Sequence, residues 1–291
     1  MALRAKPPTL EPNRIRALIY GNKGVGKTHF AVSIPNVYYI DTEGSLKYKR
    51  FVEKLTENNS SSIALYELEE IIREVKELIS VKHDYKTVVI DSISFPYNLL
   101  SHLEVERLTK KSPNTEGTEF GANMAKAKRL TFHLGMLLTR LDMNVIVTAH
   151  EKTKYQKGEE IGKEPDVNEK MGYALGTQIH LRIQGKSIKA FIEKSRYHEL
   201  KNQELIDFDD GYETIKKLFG EEVFLRESTT EELASEEQIT EVKRLQVLLN
   251  YSEESLQKWM INKKSQTIEE VNSKDILKLI EHFKSKIQGD K

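Results

Sequence analysis

Hydrophobic and polar positions along the chain alternate between two rhythms. Short, mostly apolar runs of strand length fall at Ile15–Tyr20, Val37–Ile40, Tyr85–Asp91 and Asn144–His150, each rich in β-branched or aromatic residues. Between them lie segments with apolar residues at helical spacing: 67–80, 97–107 and a stretch from Gly121 to Arg140 that carries Lys126, Lys128 and Arg129. Strands alternating with helices predict an α/β fold with a mainly parallel central sheet. Residues 178–183 and 188–193 read as two strands of a hairpin turning at Gly185-Lys186. Residues 151–172 hold charges, glycines and a proline with little periodicity, and the expectation there is a long loop.

The remaining pattern sets the organisation. Residues 1–13 contain three prolines and predict an extended arm. An acidic, polar exit follows Phe224, and three helical patterns come after it, near 236–249, 252–262 and 273–287. Ser252 and Ser273 stand where N-caps are wanted, and Trp259, the only Trp, is expected in the core of this last unit. The domain expectation is therefore an arm at 1–13, a core at 14–227, a linker at 228–236 and a small helical unit at 237–291.

The first apolar run ends in Gly21-Asn22-Lys23-Gly24-Val25-Gly26-Lys27-Thr28, which meets every fixed position of G-x-x-x-x-G-K-[ST]. A short helix can start at His29 before Pro35 stops it, so the strand–loop–helix context is present. Glycines let the backbone curl with its N–H groups around a phosphate. Lys27 is expected on the β- and γ-phosphates and the Thr28 hydroxyl on Mg²⁺. The second strand discharges into a loop with Asp41 and Glu43, at a strand end where ligands of open α/β sheets collect. Such carboxylates are either solvated turn residues or orient a water for attack. The third strand ends in Asp91, the pattern of a metal-holding aspartate. The fourth ends in Thr148 and His150; a histidine so placed is either structural or a γ-phosphate sensor.

Composition narrows the class. With 38% hydrophobic and 31% charged residues, 291 residues suffice for a full α/β core and a smaller second unit. No apolar run reaches membrane-span length, and the start lacks the apolar core of a signal peptide. A cytoplasmic location is expected, with no membrane partner. The chain has no cysteine, which excludes thiolate metal sites and a cysteine nucleophile. Lys plus Arg and Asp plus Glu number 45 each, so a nucleic-acid surface has to be a local patch.

At YYIDTEGS the chain resembles the RecA/RadA-type recombinases, whose second core strand ends in such a junction. The order of phosphate loop, DTEG, strand-Asp, sensor strand and hairpin is similar to theirs over about residues 14–227. Within that group it most resembles the short RecA-like ATPases of phages, the Sak-type single-strand annealing and recombination proteins. The resemblance implies a RecA-like P-loop NTPase core, with ATP and Mg²⁺ as cofactors. Lys27 and Thr28 would take the phosphate and metal roles, Glu43 the water and Asp91 the metal. His150 stands where recombinases usually carry Gln. Lys194 and Arg196, the K-x-R after the hairpin, resemble residues that hexameric relatives donate to a neighbour's γ-phosphate; otherwise they are two basic residues on a hairpin. Gly117–Gly121 and 151–172 correspond to the two DNA-binding loops. In the second, Lys152, Lys154, Tyr155 and Lys157 are the expected contacts, cations for phosphates and a ring for a base. The implied partners are single-stranded DNA, further copies with active sites at subunit interfaces, and a single-strand-binding or other recombination protein through the C-terminal unit. The location would be the host cytoplasm if the chain is phage-encoded. Thirteen residues precede the core, so the filament-forming N-terminal domain of classical recombinases is not expected. The rival readings are a nucleotide-dependent switch or loader for replication proteins, and a small-molecule kinase.

Overall fold

The computed structural model describes residues 14–111, 121–196, 204–205 and 211–289. The expected arm at 1–13 and residues 117–120 of the expected loop Gly117–Gly121 fall outside the described residues. Nine strands form β1 (Arg16–Gly21), β2 (Val37–Asp41), β3 (Ser61–Ala64), β4 (Thr87–Asp91), β5 (Asn144–Gln156), β6 (Glu159–Pro165), β7 (Thr177–Gln184), β8 (Ser187–Lys194) and β9 (Glu204–Leu205). The sheet order is β3-β2-β4-β5-β1-β7-β8-β9, with β6 paired to β5. Strands β3 through β7 along this path run parallel; β8, β9 and β6 pair antiparallel.

Period-two alternation decides the two faces. Leu18, Tyr20, Ile40, Val88, Ile90, Val145 and Val147 point one way. They are covered by α3 (Leu68–Ser80), α4 (Ser94–Lys111), α5 (Ala122–Arg140) and α6 (Glu169–Leu175). Ala17, Ile19, Val37, Tyr39, Val89 and Ile146 point the other way. Over them pack α1 (Lys27–Val32), α2 (Lys49–Glu57), α7 (Gly211–Phe219) and α8 (Glu222–Leu225). Strands buried on both faces read as continuous apolar runs, which is why the parallel strands were conspicuous in the sequence.

The third core belongs to α9 (Glu236–Leu248), α10 (Glu253–Asn262) and α11 (Ser273–Gly289). Ser252 caps α10 by accepting from Ser255 N. The expected cap at Ser273 is off by one residue: Asn272 Oδ1 accepts from Lys274 N at 3.0 Å, and Ser273 is already helical. Ser235 and Gln238 form a reciprocal capping box at the start of α9. Trp259 packs half-buried against this core.

The expected loop at 151–172 is corrected by the structure. β5 runs on past the sheet to Gln156, turns at Lys157-Gly158 with φ of 53° and 87°, and returns as β6, and α6 follows. Two successive positive φ values make the two-residue turn that matches strand twist. The hairpin projects into solvent, so charges occupy both of its faces and erase the alternation that would have revealed it.

Candidate functional site

Parallel pairing puts four strand ends at one edge of the sheet. Gly21 lies opposite His150 and Asp41 opposite Asp91. Every polar group of interest except those on β8 and the hairpin enters from these ends.

The loop Gly21–Thr28 leaves β1 and enters α1. Gly21 is obligatory for space: a Cβ there would lie 2.4 Å from the Leu181 carbonyl oxygen. Gly26, with φ of 103°, makes the left-handed entry to the helix. Lys27 folds back into its own loop and donates to the carbonyls of Gly21 at 2.9 Å and Asn22 at 3.0 Å. Burial lowers the pKa of this ammonium, against the pull of Asp91, Glu43 and Glu151. A desolvated cation wrapped by a glycine loop is a seat for an anionic group.

Asp91, at the end of β4, is buried. Its Oδ2 accepts from Thr28 Oγ1 at 2.7 Å and from Tyr39 OH at 2.5 Å, and its Oδ1 from Thr148 Oγ1. Burial raises its pKa even though the hydroxyls of Thr148, Tyr39 and Thr28 oppose the shift. A buried carboxylate given only neutral donors has room for a cation, and the adjoining Thr28 hydroxyl is a second hard oxygen. That donor set fits Mg²⁺, which keeps most of its water and takes few protein ligands. Among the described residues no cluster of three or more His, Cys, Asp and Glu side chains forms a dedicated metal cage.

The two carboxylates of the DTEG loop divide. Asp41 is buried and holds its own loop, accepting from the backbone N–H groups of Glu43, Ser45 and Leu46. Glu43 reaches toward β4 and β5: its Oε1 accepts from Ser92 Oγ and sits 2.9 Å from His150 Nε2. Burial alone would raise the Glu43 pKa, but the hydrogen bonds from His150 and Ser92 bring it below the ordinary glutamate value. The carboxylate is thereby kept ionised, with Oε2 open among the described residues. His150 works on Glu43 as its partner, an arrangement the sequence did not reveal. Ser92, Tyr39 and Thr148 were also not singled out for these contacts; the available signal was a hydroxyl at or beside each strand end.

Lys194 and Arg196 sit elsewhere. Lys194 donates to the Gly172 carbonyl at 3.1 Å with its ammonium 4.3 Å from the Tyr173 ring centroid. Arg196 donates to the Tyr173 carbonyl at 3.0 Å. Both side chains lie against α6, and among the described residues no contact joins them to Lys27, Thr28, Glu43, Asp91 or His150. On the hairpin, Lys152 is 3.7 Å from Asp166 and 3.9 Å from Glu164, Lys154 has no ion pair among the described residues, Tyr155 is 66% exposed, and Lys157 occupies the turn.

A family model described as an AAA domain matches residues 13–207. Among solved structures, the chain is similar to the RadB recombinase at 17% identity and a TM-score of 0.41, over 65% of this chain and 84% of that one. It is also similar to a KaiC-like protein of the hyperthermophilic archaeon Pyrococcus horikoshii OT3 at 16% identity and a TM-score of 0.42, over 65% and 83%. No curated protein matches the chain. Among the described residues, no helix is long and apolar enough to cross a membrane.

Proposed function

The chain belongs to the AAA domain family, its model matching residues 13–207 of 291, and from that premise we propose that it is a RecA-like P-loop ATPase acting on single-stranded DNA. The observation that carries the ATPase reading is the meeting of Lys27, the Thr28–Asp91 pair and the Glu43–His150 pair at adjoining strand ends. Lys27 holds the β- and γ-phosphates. Thr28 and Asp91 hold Mg²⁺, which supplies charge neutralisation of the triphosphate when bound. Glu43, anchored through Oε1 by Ser92 and His150, offers Oε2 to a water and accepts its proton as the water attacks the γ-phosphorus and the bond to the β,γ-bridging oxygen breaks. His150 orients Glu43. Arg196, with Lys194 beside it, contacts α6 and, among the described residues, none of this chain's own site groups, and we assign it to a neighbouring copy's γ-phosphate.

The hairpin supports the DNA part. It carries Lys152, Lys154, Tyr155 and Lys157 out from β5, the strand that also carries His150, so strand binding and the water-orienting pair share one element. A role in phage recombination or replication rests on the DTEG and K-x-R resemblance. The test is the rate of Mg²⁺-ATP hydrolysis with and without an unstructured oligothymidylate. Hydrolysis that rises with the oligonucleotide is expected. A phosphorylated small molecule as product, or no hydrolysis at all, would overturn the proposal.

A further inference from the structure

A cavity of about 920 Å³, with no residue of Gly21–Thr28 in its lining, lies between α5, the β5–β6 hairpin, α6 and the end of β8. Its floor includes Leu18 and Tyr97, so it reaches down to the sheet. The chain as a whole has no basic excess, yet the cavity wall does. Lys128 and Arg129 on α5 and Lys154 on the hairpin line it, exposed and without an ion pair among the described residues. Lys170 rests its ammonium 5.1 Å from the Phe132 ring centroid, and Lys194 stands over Tyr173. Neither has a carboxylate partner among the described residues. The acids of the wall are mostly spent: Glu164 faces Lys152, and Glu193 is held by His180 and Arg182. Glu169 is the remaining one. The rings of Phe132, 40% exposed, and Tyr173, 62% exposed, stand beside these cations.

Unpaired cations interleaved with exposed rings on a concave wall match a ligand that alternates phosphates with planar bases. The volume is in the range of a site that encloses a ligand, and large for one phosphate. We propose that this cavity seats single-stranded DNA, with Lys128, Arg129 and Lys170 on its phosphates and Phe132 and Tyr173 under its bases. This rests on the DNA reading above and deepens it. The principal contacts come from helices α5 and α6 as well as the hairpin, and the side chains at the hairpin tip, Tyr155 and Lys157, contribute less than the cavity wall.

The test uses the full chain with Mg²⁺ and a non-hydrolysable ATP analogue, and fluorescein-labelled oligothymidylate read by anisotropy across a salt series. The double substitution Lys128→Ala with Arg129→Ala should weaken binding and flatten the dependence of log affinity on log salt by about two, one per phosphate contact. Tyr173→Ala should weaken binding by about tenfold without changing that slope, and Tyr173→Phe should restore it. Lys157→Ala, at the turn outside the cavity, should cost less than the double substitution. All four positions are exposed, and far-UV circular dichroism checks that each variant is folded. If the wild type binds and the double variant binds equally well with the same slope, the cavity inference falls while the hairpin reading stands. If the wild type binds no oligothymidylate, the DNA reading itself falls, and this inference with it. Saturable binding of labelled thymidine monophosphate in place of the strand, lost in the double variant, would also overturn it in favour of a free nucleotide.

Discussion

Lys27 is a buried ammonium whose two resolved hydrogen bonds go to carbonyls of its own loop. Its burial costs free energy that the proposed phosphate would offset, since charge-assisted bonds in a dry site are worth more than in water. Lys27→Ala should therefore lower ATP affinity by roughly a hundredfold, the worth of about two charged hydrogen bonds; equilibrium dialysis with labelled ATP measures it, and unchanged affinity would remove the phosphate role. Tyr39 offers a different test. Its hydroxyl donates to Asp91 from inside the core, and burial together with the Asp91 charge pushes its pKa well up, so it stays a neutral donor. Tyr39→Phe should leave a buried oxygen with one donor fewer, destabilise the fold by about 1–3 kcal/mol, and shift the Mg²⁺ dependence of ATP binding. A variant that loses stability with no change in the Mg²⁺ dependence would show that Tyr39 supports the core alone.

At the scale of elements, the C-terminal helices are fastened to the core by charge. Glu270, buried, has its carboxylate 2.6 Å from Lys76 of α3 and about equally close to His133 of α5, at 3.0 and 3.1 Å from its two oxygens. Arg140 of α5 donates to the Glu270 carbonyl and to Glu231. Burial would raise the Glu270 pKa, but His133, Lys76 and the Gln266 N–H hold it down at about 2. A depressed carboxylate contributes stability that is present above its ordinary pKa, near 4.5, and lost as pH falls from there through about 2. The full contribution is about 3 kcal/mol. Urea unfolding followed by Trp259, which lies inside this unit, should thus move to lower urea as pH drops from neutral to 3. Glu270→Gln should be weaker at neutral pH and lose most of that dependence. A Trp259 transition equally stable at both pH values contradicts the fastening role.

The same scale shows what the sequence could reveal. The β1, β2, β4 and β5 ends were legible because burial on both faces makes continuous apolar runs, Gly21–Thr28 meets every fixed position of a known motif, and Asp91 closes an apolar strand. The β5–β6 hairpin was not, because its charged faces carry no period. The box at Ser235–Gln238 was readable as S-x-x-Q but lay within an acidic stretch that reads as linker. Glu43 and His150 stood at two strand ends and Lys128 and Arg129 on a helix, but the Glu43–His150 contact and the basic cavity join separate segments, which one-dimensional spacing does not bring together.

For the whole molecule the question is whether one copy suffices. Lys27, Glu43, Asp91 and His150 meet within the chain, whereas Lys194 and Arg196 lie against α6 and supply no second cation there. A neighbour's arginine is worth about three to five powers of ten in other nucleotide hydrolases. Arg196→Ala should bind ATP and hydrolyse it poorly. Mixed with inactive Glu43→Gln it should regain activity, because some interfaces then pair an intact Glu43 with an intact Arg196. A mixture that stays inactive, with wild type fully active at high dilution, excludes the donated finger. The central claim, however, is that Glu43 orients the attacking water at a site otherwise built for binding. The most direct measurement is single-turnover hydrolysis of bound Mg²⁺-ATP by Glu43→Gln beside the wild type, with ATP affinity measured on the same samples. Unchanged affinity with hydrolysis slowed by about two to four powers of ten is the predicted result; hydrolysis at the wild-type rate contradicts it.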